Sequence, residues 1–569
     1  MKMRTILKAF IIINLFIISS CTDLDLNPLS EASSETWYKE ADQFEMSLND
    51  IFKEAFWKPD GLEWIDDWVY RTNLYPITGG TINSEWGFLS TRWTNKYKAI
   101  TRANTILNTI EEAEIPSELK DQFIGNASFV RAAQYAYLIN HWGDVVYYTE
   151  TLSLEDAFNL GRTDKATILQ EIYKDFDVAI SKLPVSYSGK QFATKGAALA
   201  MKARVALYQQ DWAVARDAAK ECMDLGVYEL FPDYGELFRN STKNSSEIIF
   251  AMPASEQFEV YNHWPGINGK YVPGTIPRYA GGYGNNYPSF ELFCAYPCTD
   301  GLPIDESPLF NPREPFENRD PRLSETIVPF GAVHCGHIFY THPDSLKILN
   351  VETGKYVNNR ANVAVDRYAP WVGLLWRKGM NEYWYKNRRN QSDLIIMRYA
   401  DLLLMYAEAK IELNEIDQSV LDAINKVRAR AYQVDFSETS SYPAITATDQ
   451  SELRRLLRNE RRIELAFEDR RYMDIIRWRI AEKVLNLPTY GILASAADIK
   501  ERYADNGLWF FPMVPQLDED WIADFSPFYD AGYFRILSRR QFDASRQYLW
   551  PIPNKEILIN DNLVQNPNY

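Results

Sequence analysis

Beyond its first twenty residues the chain has no apolar run approaching the ~20 residues that cross a bilayer, so its body is not expected to span a membrane. It has no basic excess either: 61 Lys and Arg face 77 Asp and Glu, a net charge of −16. That balance excludes nucleic acid as a partner, because binding phosphates requires a basic surface. No low-complexity tract, G-x-S-x-G, H-E-x-x-H or phosphate-cradling glycine loop occurs. With 77 acidic residues, carboxylate pairs arise by chance, so such a pair does not argue for catalysis. Glu460 and Glu464, four apart beside Arg461, Arg462, Arg470 and Arg471, read as ion pairing between packed helices. No catalytic residue is assigned, and the chain is not expected to be an enzyme.

The N-terminus follows an export plan. Lys2, Arg4 and Lys8 precede a short apolar run at 9–18, and Ser19-Ser20 then stand directly before Cys21. This order resembles a bacterial lipobox, with Ile18 where leucine is usual, and divides the start into a signal peptide (1–20) and a lipidated tether (21–33). Cleavage before Cys21 and its acylation would hold the body on a membrane by lipid alone. Asp23 and Asp25 resemble the acidic residues that follow the cysteine in surface-exported lipoproteins.

Cysteine is scarce, with five in 569 residues. Cys222 lies on an apolar helix stripe and reads as a buried thiol. Cys294, Cys298 and Cys335 share an irregular region with His334, His337 and His342. The ligand types suit a metal, but C-x3-C followed by H-C-x-H is not a common zinc spacing, and an exported protein more readily forms disulfides. A disulfide or free thiols are expected, with no metal and no cofactor.

What is present is helix periodicity. Ile396, Ala400, Leu403, Ala407 and Ile411 form one stripe, with Leu402, Tyr406, Ala409 and Leu413 on a neighbouring face, so this helix should pack on both sides. After Asn414-Glu415-Ile416, Asp417 can cap a second helix with Val420, Ile424, Val427 and Ala431. Similar runs occur at 41–57, 94–113, 118–141, 165–183, 194–209 and 211–225. Paired helices with short turns are the unit of tetratricopeptide-type arrays. The fold class is therefore mainly α: a tetratricopeptide-like array of about four helix pairs, with a loop-rich second subdomain carrying short strands such as 247–252. The expected parts are an N-terminal helical-repeat part (34–227), an irregular ligand-binding subdomain (228–390) and a C-terminal helical part (391–569) with an irregular insertion at 488–548.

Several stretches, in order, resemble the SusD/RagB family of glycan-binding outer-membrane lipoproteins. They are YKAITRANTIL (97–107), FVRAAQYAYLINHWGDV (129–145), ATKGAALAMKARVALY (193–208), TDGLPI (299–304), ENRDPRL (317–323), IMRYADLLLMYAEA (396–409), ERRIELAFEDRRYMDIIRW (460–478), and the closing YLWPIPNKEI with QNPNY. The resemblance implies a surface-exposed lipoprotein that captures oligosaccharide and acts as a lid on a SusC-like TonB-dependent outer-membrane barrel. More narrowly, it leans toward members serving fructan (levan) uptake.

Sugars present C–H faces and hydroxyl edges, so their sites combine flat aromatics with carboxylate, amide or guanidinium groups. The irregular segments supply such residues. Trp86, Trp264, Tyr283, Tyr287 and Trp371 are candidate stacking groups, and Asp67 and Arg367 candidate partners for hydroxyls. Cys298, directly before Thr299-Asp300-Gly301, is a candidate for the rim. Two rivals remain: the same scaffold carrying peptide or another non-glycan nutrient, and a glycan-degrading enzyme.

Overall fold

The computed structural model describes residues 37–187, 192–262 and 274–569. The signal peptide, the tether and Cys21 therefore lie outside the described residues, as does Trp264.

The N-terminal helices are α1 (Ala41–Ile51), α2 (Gly87–Thr109), α3 (Ser117–Trp142), α4 (Lys165–Lys182), α5 (Lys195–Tyr208) and α6 (Trp212–Asp224). After the middle of the chain come α7 (Tyr399–Glu412), α8 (Gln418–Ala431), α9 (Gln450–Glu464) and α10 (Arg471–Arg477). Capping side chains mark several starts. Asp164 accepts from the Ala166 and Thr167 amides, Thr194 from Ala197, Asp417 from Ser419 and Asp449 from Glu452. Helices α2 to α6 stack in chain order, and α7 then packs against α6, α8 and α9. Short turns join α5 to α6 and α7 to α8, the paired-helix unit of a tetratricopeptide-like array. Every residue of α7 from Ala400 to Ile411 is buried, as its two apolar faces require.

Three helix boundaries depart from the periodicity, the first being the helix expected at 94–113, which begins at Gly87. The run at 41–57 breaks after Ile51 and resumes as a short turn, Glu54–Trp57. Ile396 is not helical: it belongs to a strand, Leu394–Arg398, paired antiparallel with Ile248–Met252. The adjacent β-branched Ile395 and Ile396 suit a pleated, half-buried strand better than a first helical turn.

The strands used below are β1 (Trp68–Val69), β2 (Ile248–Met252), β3 (Tyr287–Pro288), β4 (Val333–His334), β5 (His337–Ile338), β6 (Lys347–Asn350), β7 (Lys355–Asn358), β8 (Leu394–Arg398), β9 (Pro488–Ile492) and β10 (Phe534–Arg539). All pair antiparallel, β1 with β3, β2 with β8 and β9 with β10, while β4 to β7 form a meander. The array and the β2–β8 pair share one apolar core. A second core joins β1 and the middle region (Tyr287 to Trp376) to Ile463, Phe467 and the segment from Tyr490 to Leu537. The two irregular stretches, far apart in sequence, thus make one body. Cys222, Cys294, Cys298 and Cys335 are all buried free thiols, so the disulfide alternative does not hold among them. Among the described residues no cluster of His, Cys, Asp and Glu could hold a metal.

The cores meet over buried ion pairs. Glu464 accepts from Arg322 Nη1 at 2.9 Å and Arg398 Nη1 at 2.6 Å, and also from Arg430. Glu460 accepts from Arg322 Nη1 at 2.6 Å and Arg428 Nε at 2.7 Å. These glutamates therefore pair with arginines of other elements rather than with the four arginines nearest them in sequence.

Candidate functional site

The turn after β1 brings Arg71 to the surface edge of the second core, and the long connection between β7 and β8 brings Arg367, Tyr368 and Trp371 to the same place. Tyr368 is the centre. The guanidiniums of Arg71, Arg278 and Arg367 lie 4.4, 4.9 and 4.6 Å from its ring centroid. Trp371 is half-buried; its Nε1 donates to the Arg367 carbonyl at 3.2 Å, and Arg535 of β10 stands 4.2 Å from its ring. From below, the buried Tyr287 hydroxyl donates to the Tyr368 carbonyl at 3.2 Å. Tyr283 is 61% exposed, and its carbonyl accepts from Arg278 Nη1 at 3.5 Å.

Asp366 is the carboxylate of the group. Burial works against its charge, but Arg278 Nε at 2.9 Å and Arg360 Nε at 2.8 Å donate to it and hold its carboxyl below the usual range. The backbone is equally constrained. The Ile492 amide donates to the Trp371 carbonyl at 2.8 Å, and a Cβ on Gly491 would lie 2.6 Å from that carbonyl oxygen. Glycine at 491 thus lets β9 lie directly under Trp371.

Arg367 and Trp371 are therefore gathered around Tyr368 at a partly exposed edge, and the exposed Tyr283 joins them through its backbone carbonyl. Three other candidates are corrected by burial. Asp67 is 1% exposed and lies 3.0 and 3.2 Å from Arg462, beside the Asp66–Arg471 pair. Burial, reinforced by Asp66, pushes its carboxyl up to about 6 against the pull of Arg462. Tyr287 sits in the β1–β3 pair with no ring face open to solvent, supporting the platform rather than forming it. Cys298 is wholly buried in the second core, where burial raises its thiol above the ordinary value. Trp86 lies elsewhere: half-buried at the start of α2, it stacks on Phe88 at 4.7 Å. Sequence reasoning missed Arg71, Arg278, Tyr368 and Arg535. The first three stand in the irregular stretches that also hold candidate aromatics, whereas Arg535 carries no local signal.

A separate cavity of about 220 Å³ lies between α3, α5 and β8, walled by Trp57, Tyr137, Arg204 and Trp384. Burial there lowers His141 to about 4 and Lys96 to about 7.

A helical-repeat scaffold that carries an aromatic–guanidinium platform on a loop-rich body has the features of a ligand-capture protein. Residues 246–569 match the model of the SusD family, and residues 40–207 match one described as starch-binding associating with outer membrane. The chain belongs to the SusD family. It is 29% identical to SusD-like protein P25 of Formosa agariphila over 69% of this chain and 70% of that one, and 23% identical to SusD-like protein P2 of the same organism over 99% of each. Among solved structures, a SusD-like carbohydrate binding protein from Bacteroides fragilis superposes with a TM-score of 0.76 at 27% identity, covering 93% of this chain and 99% of that one. A laminarin binding SusD-like protein superposes at 0.59 with 20% identity over 94% and 100%, a likeness of fold. No enzyme family is among these matches.

Proposed function

We propose that this protein is a cell-surface lipoprotein, anchored through Cys21 to the outer membrane, that captures oligosaccharide on the platform of Tyr283, Arg367, Tyr368 and Trp371. It would deliver the sugar, as a lid, to a SusC-like TonB-dependent barrel. The observation that carries this reading is the half-buried Trp371, held from behind by Gly491 and Arg535 and flanked by Tyr368 and the exposed Arg367. Flat faces beside planar donors match the C–H faces and hydroxyl edges of a sugar. The carbohydrate-binding relative from Bacteroides fragilis, similar over nearly the whole chain, supports it. No helix among the described residues is long and apolar enough to cross a membrane, which fits attachment by lipid. Nothing in the platform's geometry favours fructan over other glycans, so levan is one member of the test panel.

The test is calorimetric titration of residues 22–569 against polysaccharides and their oligosaccharides, laminarin and levan included, with a peptide mixture alongside. Binding of a glycan class with a Kd of about micromolar to millimolar, lost in Trp371→Ala, is the expected result. Binding of peptides with silence across the glycans would favour the peptide rival. New reducing ends released from a polysaccharide would favour an enzyme.

A further inference from the structure

We infer that the platform takes an acidic glycan, one whose sugars carry carboxylate or sulfate groups. The inference rests on the glycan-binding reading and narrows its substrate class. Its basis is a local reversal of sign. In a chain of net charge −16, five arginines (71, 278, 360, 367 and 535) gather around the Tyr368 and Trp371 rings and Asp366. Asp366 already accepts from Arg278 and Arg360. Among the described residues no ion pair involves Arg71, Arg367 or Arg535. Arg71 Nε is buried with no hydrogen-bond partner, Arg367 donates to the Tyr368 hydroxyl, and Arg535 Nε donates to the Ile492 carbonyl at 2.9 Å.

Several fully buried arginines carry carboxylate partners, although the buried Arg319 donates only to backbone carbonyls. Arg398 pairs with Glu247, Glu464 and Glu468, Arg430 with Glu247 and Glu464, and Arg477 with Glu408. Three guanidiniums within 5 Å of one ring centroid repel one another. The aromatic face between them offsets part of that repulsion. An anion bound by the guanidiniums beside the ring would remove the rest. The planar guanidinium fork suits a carboxylate or a sulfate, through two parallel hydrogen bonds. The rings at the same place supply the flat apolar faces that a sugar needs and a free inorganic anion does not. A neutral glucan or fructan would leave Arg71, Arg367 and Arg535 uncompensated.

The test is titration of residues 22–569 with chemically matched pairs at low and at physiological salt. Polygalacturonate is set against its methyl ester for carboxylate, and dextran sulfate against dextran for sulfate, within an array of further acidic and neutral glycans. The expected result is that acidic members bind at least tenfold more tightly than their neutral counterparts, with affinity falling as salt rises. Arg367→Gln, on an exposed side chain, should lower that preference about tenfold or more. Arg71→Gln should do the same, with thermal melting as the check on folding. Equal binding of acidic and neutral members, or a preference unchanged in Arg367→Gln, overturns the inference and leaves the glycan reading standing. Equal retention of duplex DNA would mark generic polyanion binding and also overturn it. Silence across every glycan overturns both readings.

Discussion

Glu464 is wholly buried and takes hydrogen bonds from Arg322, Arg398 and Arg430, three arginines of three different elements. Burial alone would raise its carboxyl, but the arginines hold it far below the usual range. Replacing it by alanine leaves guanidiniums buried without their partner, which costs about 3–5 kcal/mol. Denaturant unfolding of Glu464→Ala should show that loss. Glu408 follows the same logic: burial opposes its charge, yet Arg477 at 2.5 and 2.7 Å brings it from 4.5 to about 2. A carboxyl whose folded value is depressed adds stability above its unfolded value and loses it as pH falls. This residue's share, about 3 kcal/mol, should therefore be present above pH 4.5 and disappear on approach to pH 2. Asp67 works the other way: raised to about 6, it favours the folded state below pH 3.8, a preference lost as pH rises toward 6. Thermal melts across pH 2–7 of Glu408→Gln against the parent would isolate the acid-side contribution.

Single elements carry separable roles. Thr194 caps α5 by accepting from the Ala197 amide at 3.2 Å, so Thr194→Ala should cost about 1 kcal/mol without touching ligand binding. Gly491 of β9 has the opposite profile. A methyl there meets the Trp371 carbonyl at 2.6 Å and Leu537 at 2.9 Å, so Gly491→Ala should destabilise by about 1–3 kcal/mol and displace the platform. Calorimetry on that variant should show weakened glycan binding even though no ligand-facing atom has changed. Long helices such as α4, α5 and α8 were legible because their apolar spacing and caps lie within one local window. Strand β8 was not, because Ile396 acquires its strand conformation from β2, which lies across the whole irregular middle of the chain. Asp67 was misread for a related reason: its partner Arg462 lies 395 residues away. An acidic residue between two tryptophans looks exposed until that partner is known.

At the scale of the molecule, the helical array buries one core and the loop-rich body another, with the buried Arg–Glu pairs along their junction. The platform lies at an edge of the second core, assembled from the turn after β1, the stretch around Tyr283, the β7–β8 connection, and β10. Trp371, Tyr283 and Arg367 stand out in the sequence, whereas Tyr368 and the other arginines join them only on folding. The central claim is that sugar is captured there. A diffraction structure of residues 22–569 with a bound oligosaccharide tests it most directly. A sugar ring resting on Trp371, its polar substituents within hydrogen-bond distance of Arg367, is the predicted result. A sugar seated on Trp86, or in the cavity beside Tyr137, with the Trp371 platform empty would contradict the account.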